Sequence, residues 1–296
     1  MYTNPLTEDQ RHRRIQGYID RMASLSTTVT KVIEVCDKPD ASPNDLNKII
    51  SLDPVLTGRV LRLINSAYYS LPNKITTLTR AIIMLGLNTV KNLALSTAVL
   101  GTKMGGASSG FFSADQFWAH SLTVGVTAKL MAVEKKVPVM QREDYFVAGL
   151  LHDLGKMPLT DCFPQEYPLV LQLIAEKGLP IEQAEKEVLT LDHGQSGKMI
   201  AEKWQLSEII INALEFHHRP FESPEENRAF VAFVSLADLF ANKIYTGDIT
   251  AGDQPDEKFA GILDAVGLQL SDLFALEEVV AAEIEKAQIF LQVAHD

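Results

Sequence analysis

The chain of 296 residues is 46% hydrophobic and 22% charged, which allows one large domain or two modest ones with a sizeable core. Its net charge of −11 argues against a surface that binds nucleic acid or an anionic membrane. No apolar stretch approaches the ~18 residues of a membrane span, and the N-terminal "MYTNPLTEDQRHRRIQ" lacks the apolar core of a signal peptide, so we expect a cytoplasmic protein.

The N-terminal third of the chain has helical periodicity and two helix start signals. One apolar stripe at helical spacing comprises Leu25, Val29, Val32 and Ile33. Ser42 can cap a helix whose first turn contains Pro43, and Asp53 followed by Pro54 repeats the arrangement. We therefore predict one helix after Ser42 and another after Asp53.

The segment "TTLTRAIIMLGLNTVKNLALSTAVLG" predicts two short helices. Gly86 ends the first, Asn88 caps the second, and Gly101 ends the second. The β-branched "ITTLT" at 75–79 is the best strand candidate, and we interpret it as the start of a helix. "MGGASSG" at 104–110 has no periodicity and predicts a loop between two helical lobes.

Beyond this loop the periodicity is again helical. Ser113 and Gln116 form the capping box of a helix that contains "ADQFWAHSLTV". Further helices are predicted around 143–155, 166–177, 181–190, 193–204, 207–218 and 225–243, followed by a loop at 246–257 and an amphipathic segment at 270–294. We predict an all-α fold with three parts: an N-terminal helical lobe at 1–103, a helical bundle at 111–245, and a C-terminal loop and amphipathic helix at 246–296.

Titratable side chains fall on the apolar faces of these predicted helices. His120 shares a face with Phe117 and Val124, and Asp238 shares one with Val231 and Val234. A buried carboxylate needs a charge partner or a metal, because leaving it unpaired in an apolar interior is costly. Neutral imidazoles and carboxylates suit iron, manganese, nickel or zinc. The pattern predicts a metal centre, with a purely structural polar core as the alternative.

The order of these residues resembles that of the HD superfamily of metal-dependent phosphohydrolases. It runs His120, His152-Asp153, His193, His217-His218 and Asp238, and "LLHDLGK" resembles the central motif of that superfamily. Several other segments between about 20 and 240 are similar to the HDOD family, the HD-related output domains of bacterial signalling proteins; they include "ISLDPVLTGRVLRLINSAYYS" and "DHGQSGKMIAEKWQLSEIIINALEFHHRP". This resemblance implies a helical N-terminal lobe packed on an HD-like bundle.

The resemblance also implies roles for single residues. One metal would be held by His120, His152, Asp153 and Asp238, and a second by His193, His217 and His218 with Asp153 shared. The two ions are expected to be iron or manganese, with nickel or zinc also compatible. Lys156 stands where related enzymes use a lysine to hold a phosphate oxygen; a solvated lysine at a helix end is the alternative. Separately, Glu187 and Asp192 lie close to His193 in the sequence and are candidates to orient the imidazoles; exposed charges on a helix are the alternative for both.

Together these features predict a metal-dependent hydrolase of a phosphate ester or phosphodiester, with a nucleotide as one candidate substrate and with Asp153 and Lys156 as its catalytic residues. The alternative is a non-catalytic signalling scaffold, in which the metal cluster is structural and the N-terminal lobe binds a signalling protein. The segment "HHRPFESPEENRAF" lacks the Gly-Tyr-Pro motif of relatives that hydrolyse cyclic di-GMP, which argues against that substrate. A helix-turn-helix at 78–98 is disfavoured because Arg80 and Lys91 are its only basic residues.

Overall fold

A computed structural model describes residues 6–22, 24–100, 113–244, 246–250 and 254–295, and in these residues the chain is all-α without strands. The predicted fold class is confirmed. The predicted end of a helix at Gly101 and the predicted loop at 104–110 lie outside the described residues. Among the described helices, none is by itself long and apolar enough to cross a membrane, and two strongly bent helix pairs meet that test only when each pair is taken together.

The N-terminal part begins with a helix that the sequence analysis did not identify. Its helices are α1 (Glu8–Arg21), α2 (Thr27–Cys36), α3 (Pro43–Ile50), α4 (Pro54–Ile64), α5 (Leu78–Leu85) and α6 (Leu87–Leu100). The α1 helix packs against the bundle, and Lys203 Nζ donates to its C-terminal carbonyls of Ile19 and Asp20 at 2.5 and 2.9 Å. A cation at this end also offsets the negative pole of the helix dipole.

The start signals of α3 and α4 are confirmed. Ser42 forms a capping box with Asp45, and the Asp53 carboxylate accepts a hydrogen bond from the Leu56 N–H at 2.9 Å. Residues 75–77 lead into α5, whose cap is Thr77, so the interpretation of 75–79 as the start of a helix is also confirmed.

Gly86 ends α5 as predicted, but Asn88 does not cap α6. Gly86 has a φ of 88°, a conformation that glycine adopts without strain. The α6 helix begins at Leu87, and Asn88 lies in its first turn. The Asn88 side chain instead donates to the Asp144 carboxylate at 2.9 and 3.0 Å, which links α6 to the bundle.

The bundle follows the predicted periodicity closely. Its helices are α7 (Ala114–Glu134), α8 (Arg142–Leu151), α9 (Lys156–Cys162), α10 (Tyr167–Lys177), α11 (Ile181–Leu189), α12 (His193–Lys203), α13 (Glu208–Phe216) and α14 (Glu225–Leu239). The capping box of Ser113 and Gln116 at the start of α7 is confirmed. A π-helical turn, Phe240–Ile244, continues from α14.

The helix predicted around 143–155 is confirmed up to Leu151, but its predicted end is wrong, because residues 152–155 form a turn between α8 and α9. Gly155 in this turn lies against the backbone of α12. A Cβ atom at Gly155 would stand 1.8 Å from the His193 carbonyl oxygen, so no other residue fits without movement. This close approach brings the turn after α8 to the start of α12.

The C-terminal part also differs from the prediction. It contains α15 (Glu257–Val266), α16 (Leu270–Ala287) and α17 (Ile289–His295), where the sequence analysis predicted one amphipathic segment at 270–294 and no helix before it. Phe290 and Val293 of α17 are buried, and α17 packs on α4 and α6. The chain bends after α16 because this apolar face of α17 turns towards the N-terminal helices.

One hydrophobic cluster contains residues of all three predicted parts, from Ile15 in α1 through Leu151 in α8 to Val293 in α17. A second cluster joins α14 to α15 and α16, with Phe240 and Phe259 among its fully buried members. The division at 1–103, 111–245 and 246–296 stays a prediction. The shared core fixes the N-terminal helices against the bundle that carries the candidate site.

Candidate metal centre

The seven predicted metal ligands come from five segments of the bundle and converge inside it. They are His120 in α7, His152 and Asp153 directly after α8, His193 at the start of α12, His217 and His218 directly after α13, and Asp238 in α14. They form two neighbouring groups of donor atoms. Sequence positions separated by more than a hundred residues therefore meet at one place in the fold.

The first group contains two imidazoles and two carboxylates. His120 Nε2 lies 3.2 Å from Asp238 Oδ1 and 3.7 Å from Asp153 Oδ2. His152 Nε2 lies 3.5 Å from each of these same two oxygen atoms. Asp238 Oδ1 also accepts a hydrogen bond at 2.7 Å from Asn242 in the π-helical turn, which holds the carboxylate in place.

The second group consists of three imidazoles. His193 Nε2 lies 3.1 Å from His217 Nε2 and 2.9 Å from His218 Nε2. His193 and His217 are buried, and His218 is partly exposed. Two nitrogen atoms bound at ~2.1 Å to one metal and at right angles would stand about 3.0 Å apart, so the observed spacing suits a shared ion.

Asp153 lies between the two groups. Its Oδ2 faces His120 and His152, while its Oδ1 lies 3.5 Å from His193 Nε2 and 3.9 Å from His217 Nε2. The Oδ1 atom is buried and makes no hydrogen bond with any described residue. One carboxylate thus presents an oxygen atom to each group of histidines.

Two of the imidazoles have their orientation fixed by backbone carbonyls. The Nδ1 of His152 lies 2.7 Å from the Gly149 oxygen, and the Nδ1 of His217 lies 2.9 Å from the Leu214 oxygen. Because a carbonyl only accepts hydrogen bonds, each Nδ1 donates, and each ring, when its Nε2 is deprotonated, presents the lone pair of that atom to the site. His152 Nε2 is buried without a partner among the described residues, as expected for a ligand atom.

Glu185 orients the third imidazole, and the sequence analysis missed it. Its side chain is fully buried, and Oε2 accepts hydrogen bonds from the backbone N–H of His193 at 2.8 Å and from its Nδ1 at 2.6 Å. The Tyr167 hydroxyl donates to Oε1 at 3.0 Å. A carboxylate behind a ligating histidine fixes the ring and raises its basicity.

The two predicted candidates for this orienting role are wrong. Glu187 is exposed and pairs with Lys177 at 3.3 Å, while Asp192 accepts a hydrogen bond from the Gln195 N–H at 2.7 Å as the cap of α12. The sequence contains no clear signal for Glu185, because the buried face of α11 contains a second carboxylate, Glu182, as well as Leu189.

Lys156 contacts the metal-ligand cluster and is not the solvated lysine of the alternative interpretation. Its side chain is 16% exposed, and its Nζ donates to Asp153 Oδ2 at 2.5 Å. The buried Asp153 carboxylate is thereby partly compensated by a cation. The ammonium group stands at the edge of the first group of ligands.

The charges of the cluster follow from burial and from mutual interactions. Burial disfavours the charged form of Asp153, but the neighbouring His152 and Lys156 hold the pKa of this carboxyl well below its usual range. Burial and the adjacent His152 and His193 lower the pKa of His217 to about 3. At neutral pH the site therefore presents an ionised carboxylate and a neutral imidazole, the forms in which these side chains bind metals.

The donor set fits a divalent metal. Buried lone pairs that face one another without an intervening proton repel, and a cation between them removes this repulsion. His152 Nε2 and Asp153 Oδ1 are the two buried ligand atoms that have no other partner in the described part of the chain. A purely structural polar core would instead satisfy these atoms with hydrogen bonds.

The HDOD domain family matches residues 22–220 of the chain. A protein of Treponema pallidum (strain Nichols) without a characterised function is 26% identical over 229 residues, which cover 76% of this chain and 43% of that protein. The chain thus spans less than half the length of that relative.

Three solved structures share the fold. A protein from Shewanella amazonensis SB2B, provisionally named a phosphohydrolase, has a TM-score of 0.71 at 23% identity, with 95% of this chain and 98% of that chain covered. An HDOD domain protein of unknown function from Geobacter sulfurreducens has a TM-score of 0.68 at 24% identity, with 96% and 98% covered. A protein from Marinobacter aquaeolei VT8, provisionally named a signal transduction protein, has a TM-score of 0.71 at 17% identity, with 99% and 67% covered.

Proposed function

The chain belongs to the HDOD domain family, and we propose that it uses a binuclear metal centre to hydrolyse a phosphate ester or phosphodiester. The observation that carries this proposal is the position of Asp153, whose two oxygen atoms face two separate groups of histidines. A carboxylate placed in this way would bridge two ions and set their spacing. Mixed imidazole and carboxylate donors favour iron or manganese, and nickel or zinc would also bind.

The ligands divide between the two ions as the distances indicate. His120, His152 and Asp238 would hold one ion together with Asp153 Oδ2, and the three remaining histidines, His193, His217 and His218, would hold the other together with Asp153 Oδ1. Two ions in such a site stabilise the charge of a phosphoryl group and make a bound water more acidic.

Side chains around the ions would position the substrate. Lys156 Nζ stands beside Asp153 Oδ2, where it would neutralise a non-bridging phosphate oxygen by charge and hydrogen bonding. Glu185 would keep His193 in the orientation that directs Nε2 towards the ion. Asp153 and Lys156 are therefore the residues to which we assign catalytic roles.

The exposure of the cluster supports an open site. The side chains of His120 and His218 are 25% and 19% exposed, while those of His152, His193 and His217 are 0% exposed. A cavity of about 340 Å³ lies beside His218, and its lining contains three cations, Lys186, Arg219 and Lys258, together with the carboxylates of Glu182 and Glu222. One edge of the cluster thus borders a space of mixed charge that leaves room for a ligand. A structural metal site, by contrast, has all its coordination positions closed by protein ligands.

Metal analysis of the purified protein together with a hydrolysis screen tests this proposal. The screen would contain p-nitrophenyl phosphate, bis-p-nitrophenyl phosphate and a panel of nucleotides, with His152→Ala and Asp153→Ala as inactive variants and the exposed Arg80→Ala as the matched control. Turnover in wild type and Arg80→Ala, lost in the other two variants, supports the enzyme. Bound metal without turnover of any substrate would instead favour the signalling scaffold, and a protein that never binds metal would overturn both.

A further inference from the structure

A second cavity lies away from the metal ligands, between the N-terminal helices and α9. Its volume is about 660 Å³, which is within the range of small-molecule sites. It opens where the end of α1 meets the first turns of α2 and α4. Its lining includes Tyr18, Leu25, Arg59, Thr97 and Met157.

An unpaired guanidinium donor points to an anionic ligand. Arg59 in α4 is half-buried, and its Nε is inaccessible to solvent yet makes no hydrogen bond with any described residue. Leaving a buried donor of a charged group unpaired is costly, so a ligand oxygen that accepts from it would gain free energy. Arg21 adds a second cation to the lining. The lining carboxylate of Asp53 already accepts from the Leu56 N–H as the cap of α4.

The remaining wall of the cavity is largely apolar. Leu25, Val29 and Leu56 are buried on one side, and Met157 of α9 is buried on the other. Apolar surface of this kind gains free energy when a ligand displaces its water. The cavity therefore combines two guanidinium groups with an apolar pocket large enough for a molecule of drug-like size.

We propose that this cavity binds a small molecule in which an oxyanion, a phosphate or a carboxylate, is attached to an apolar body. The oxyanion accepts hydrogen bonds from the Arg59 guanidinium, and the apolar body packs against Leu25, Val29 and Met157. This site is separate from the metal centre and does not depend on hydrolytic activity.

The cavity contacts α9, the helix that begins beside the candidate metal centre. Met157 lines the cavity and directly follows Lys156, which donates to Asp153. The hydroxyl of Tyr18 in the cavity wall donates to Asp161 in α9 at 2.6 Å. A molecule in the cavity would therefore touch α9 at the residue next to Lys156, whose ammonium group contacts Asp153.

Binding of anilinonaphthalene sulfonate, which joins an oxyanion to an aromatic body, provides the test on the full chain. Its fluorescence would be titrated in wild type, in Arg59→Met and in Arg80→Met, an exposed arginine of the same lobe. We expect Arg59→Met to weaken binding about tenfold or more, since a charge-assisted hydrogen bond is lost, and Arg80→Met to leave it unchanged. Val55→Trp, at a position 63% exposed on the rim of the cavity, should also weaken binding by filling the opening.

Competition between candidate ligands and the bound probe identifies the kind of oxyanion that the cavity accepts. Adenosine 5′-monophosphate and decanoate would each be added against the bound probe, with adenosine and decanol as their uncharged counterparts. Displacement by one anion and not by its uncharged counterpart supports the proposal and selects phosphate or carboxylate. Equal binding of the probe by wild type and Arg59→Met would overturn it, as would displacement by the uncharged molecules alone. Treatment of the wild type with EDTA should leave probe binding unchanged, which separates this site from the metal centre.

Discussion

Glu185 binds His193 at two atoms, accepting from the backbone N–H at 2.8 Å and from the ring Nδ1 at 2.6 Å through the same carboxylate oxygen. The contact fixes which nitrogen of the His193 ring faces the cluster and ties this ring to the first residue of α12. Glu185 lies in α11 and is not a predicted ligand, yet it sets the orientation of His193 in the second group of histidines.

Replacing this carboxylate should weaken metal binding without removing a ligand. We expect Glu185→Gln to lower metal affinity about tenfold to a hundredfold, the usual effect of losing an orienting carboxylate behind a ligating imidazole. Metal titration against a chelator measures this change. Glu187→Gln is the matched control, because Glu187 is exposed and pairs only with Lys177 among the interactions described for it; equal losses in the two variants would contradict the role of Glu185.

Lys156 should be needed for turnover of the substrate and not for binding of the metal. In Lys156→Met we expect kcat to fall about a hundredfold to a thousandfold, as for the loss of one group that stabilises developing charge, while the metal content stays at the wild-type level. Hydrolysis kinetics and elemental analysis of the same preparation check both parts. Lys48→Gln, at a side chain 76% exposed, is the control. Loss of metal in Lys156→Met would show that the lysine acts structurally.

Replacing glycine by alanine should have opposite effects on stability at Gly155, which is crowded by α12, and at Gly58, which is not. Gly155→Ala should destabilise the fold by about 3 kcal/mol or more, because its Cβ would stand 1.8 Å from the His193 oxygen and 2.5 Å from the Gly197 nitrogen. Gly58→Ala, in the exposed part of α4 with nothing within 4 Å of the added Cβ, should instead stabilise by ~0.5–1 kcal/mol. Denaturant unfolding measures both; a neutral Gly155→Ala would mean that α9 and α12 separate easily.

A largely buried ion pair joins α7, which carries His120, to α8, which ends directly before His152. Lys129 of α7 donates to Glu143 of α8, and its Nζ lies 4.4 Å from the centre of the Tyr68 ring. Glu143→Leu should cost about 3 kcal/mol, because it leaves the lysine buried without its carboxylate. The double variant Lys129→Met with Glu143→Leu should recover most of this loss. Chemical unfolding of the wild type, of each single variant and of the double variant measures the free energies of unfolding. If the losses of the two single variants simply add in the double variant, the pairing is contradicted.

Much of the fold could be predicted because local signals control helix starts. Ser42, Asp53 and Ser113 each precede an apolar periodic stretch, and each caps a helix in the structure. The turn at 152–155 was not predictable in this way, since Leu151 and Leu154 continue the apolar pattern through it. The break depends on the contact of Gly155 with the backbone of α12, which is a tertiary contact.

The α15 helix shows a different kind of failure. Its buried residues follow the helical period: Phe259, Ile262, Leu263 and Val266. The stretch is short and follows a segment rich in glycine and aspartate, and the predicted loop at 246–257 and segment at 270–294 left residues 258–269 without a predicted element. Packing against α14 gives this short helix the stability that its own sequence does not supply.

The candidate ligands were easier to pick out in the sequence than the residue that orients one of them. Histidines and aspartates on apolar faces are conspicuous because an apolar core gives them no partner there. Glu185 belongs to a charged segment that also contains Lys186 and Glu187, and the local sequence does not show which carboxylate faces inward. That choice depends on how α11 lies against α12, where Glu185 meets the His193 backbone.

The α9 helix is only seven residues long, Lys156–Cys162, about 10 Å from end to end. Over that length an α-helix behaves as a rigid rod, so Lys156 at one end and Asp161 near the other shift together. The rod is held at both ends, by the Asp153 carboxylate and by the Tyr18 hydroxyl. A displacement at the Tyr18 end should therefore also move the ammonium group of Lys156.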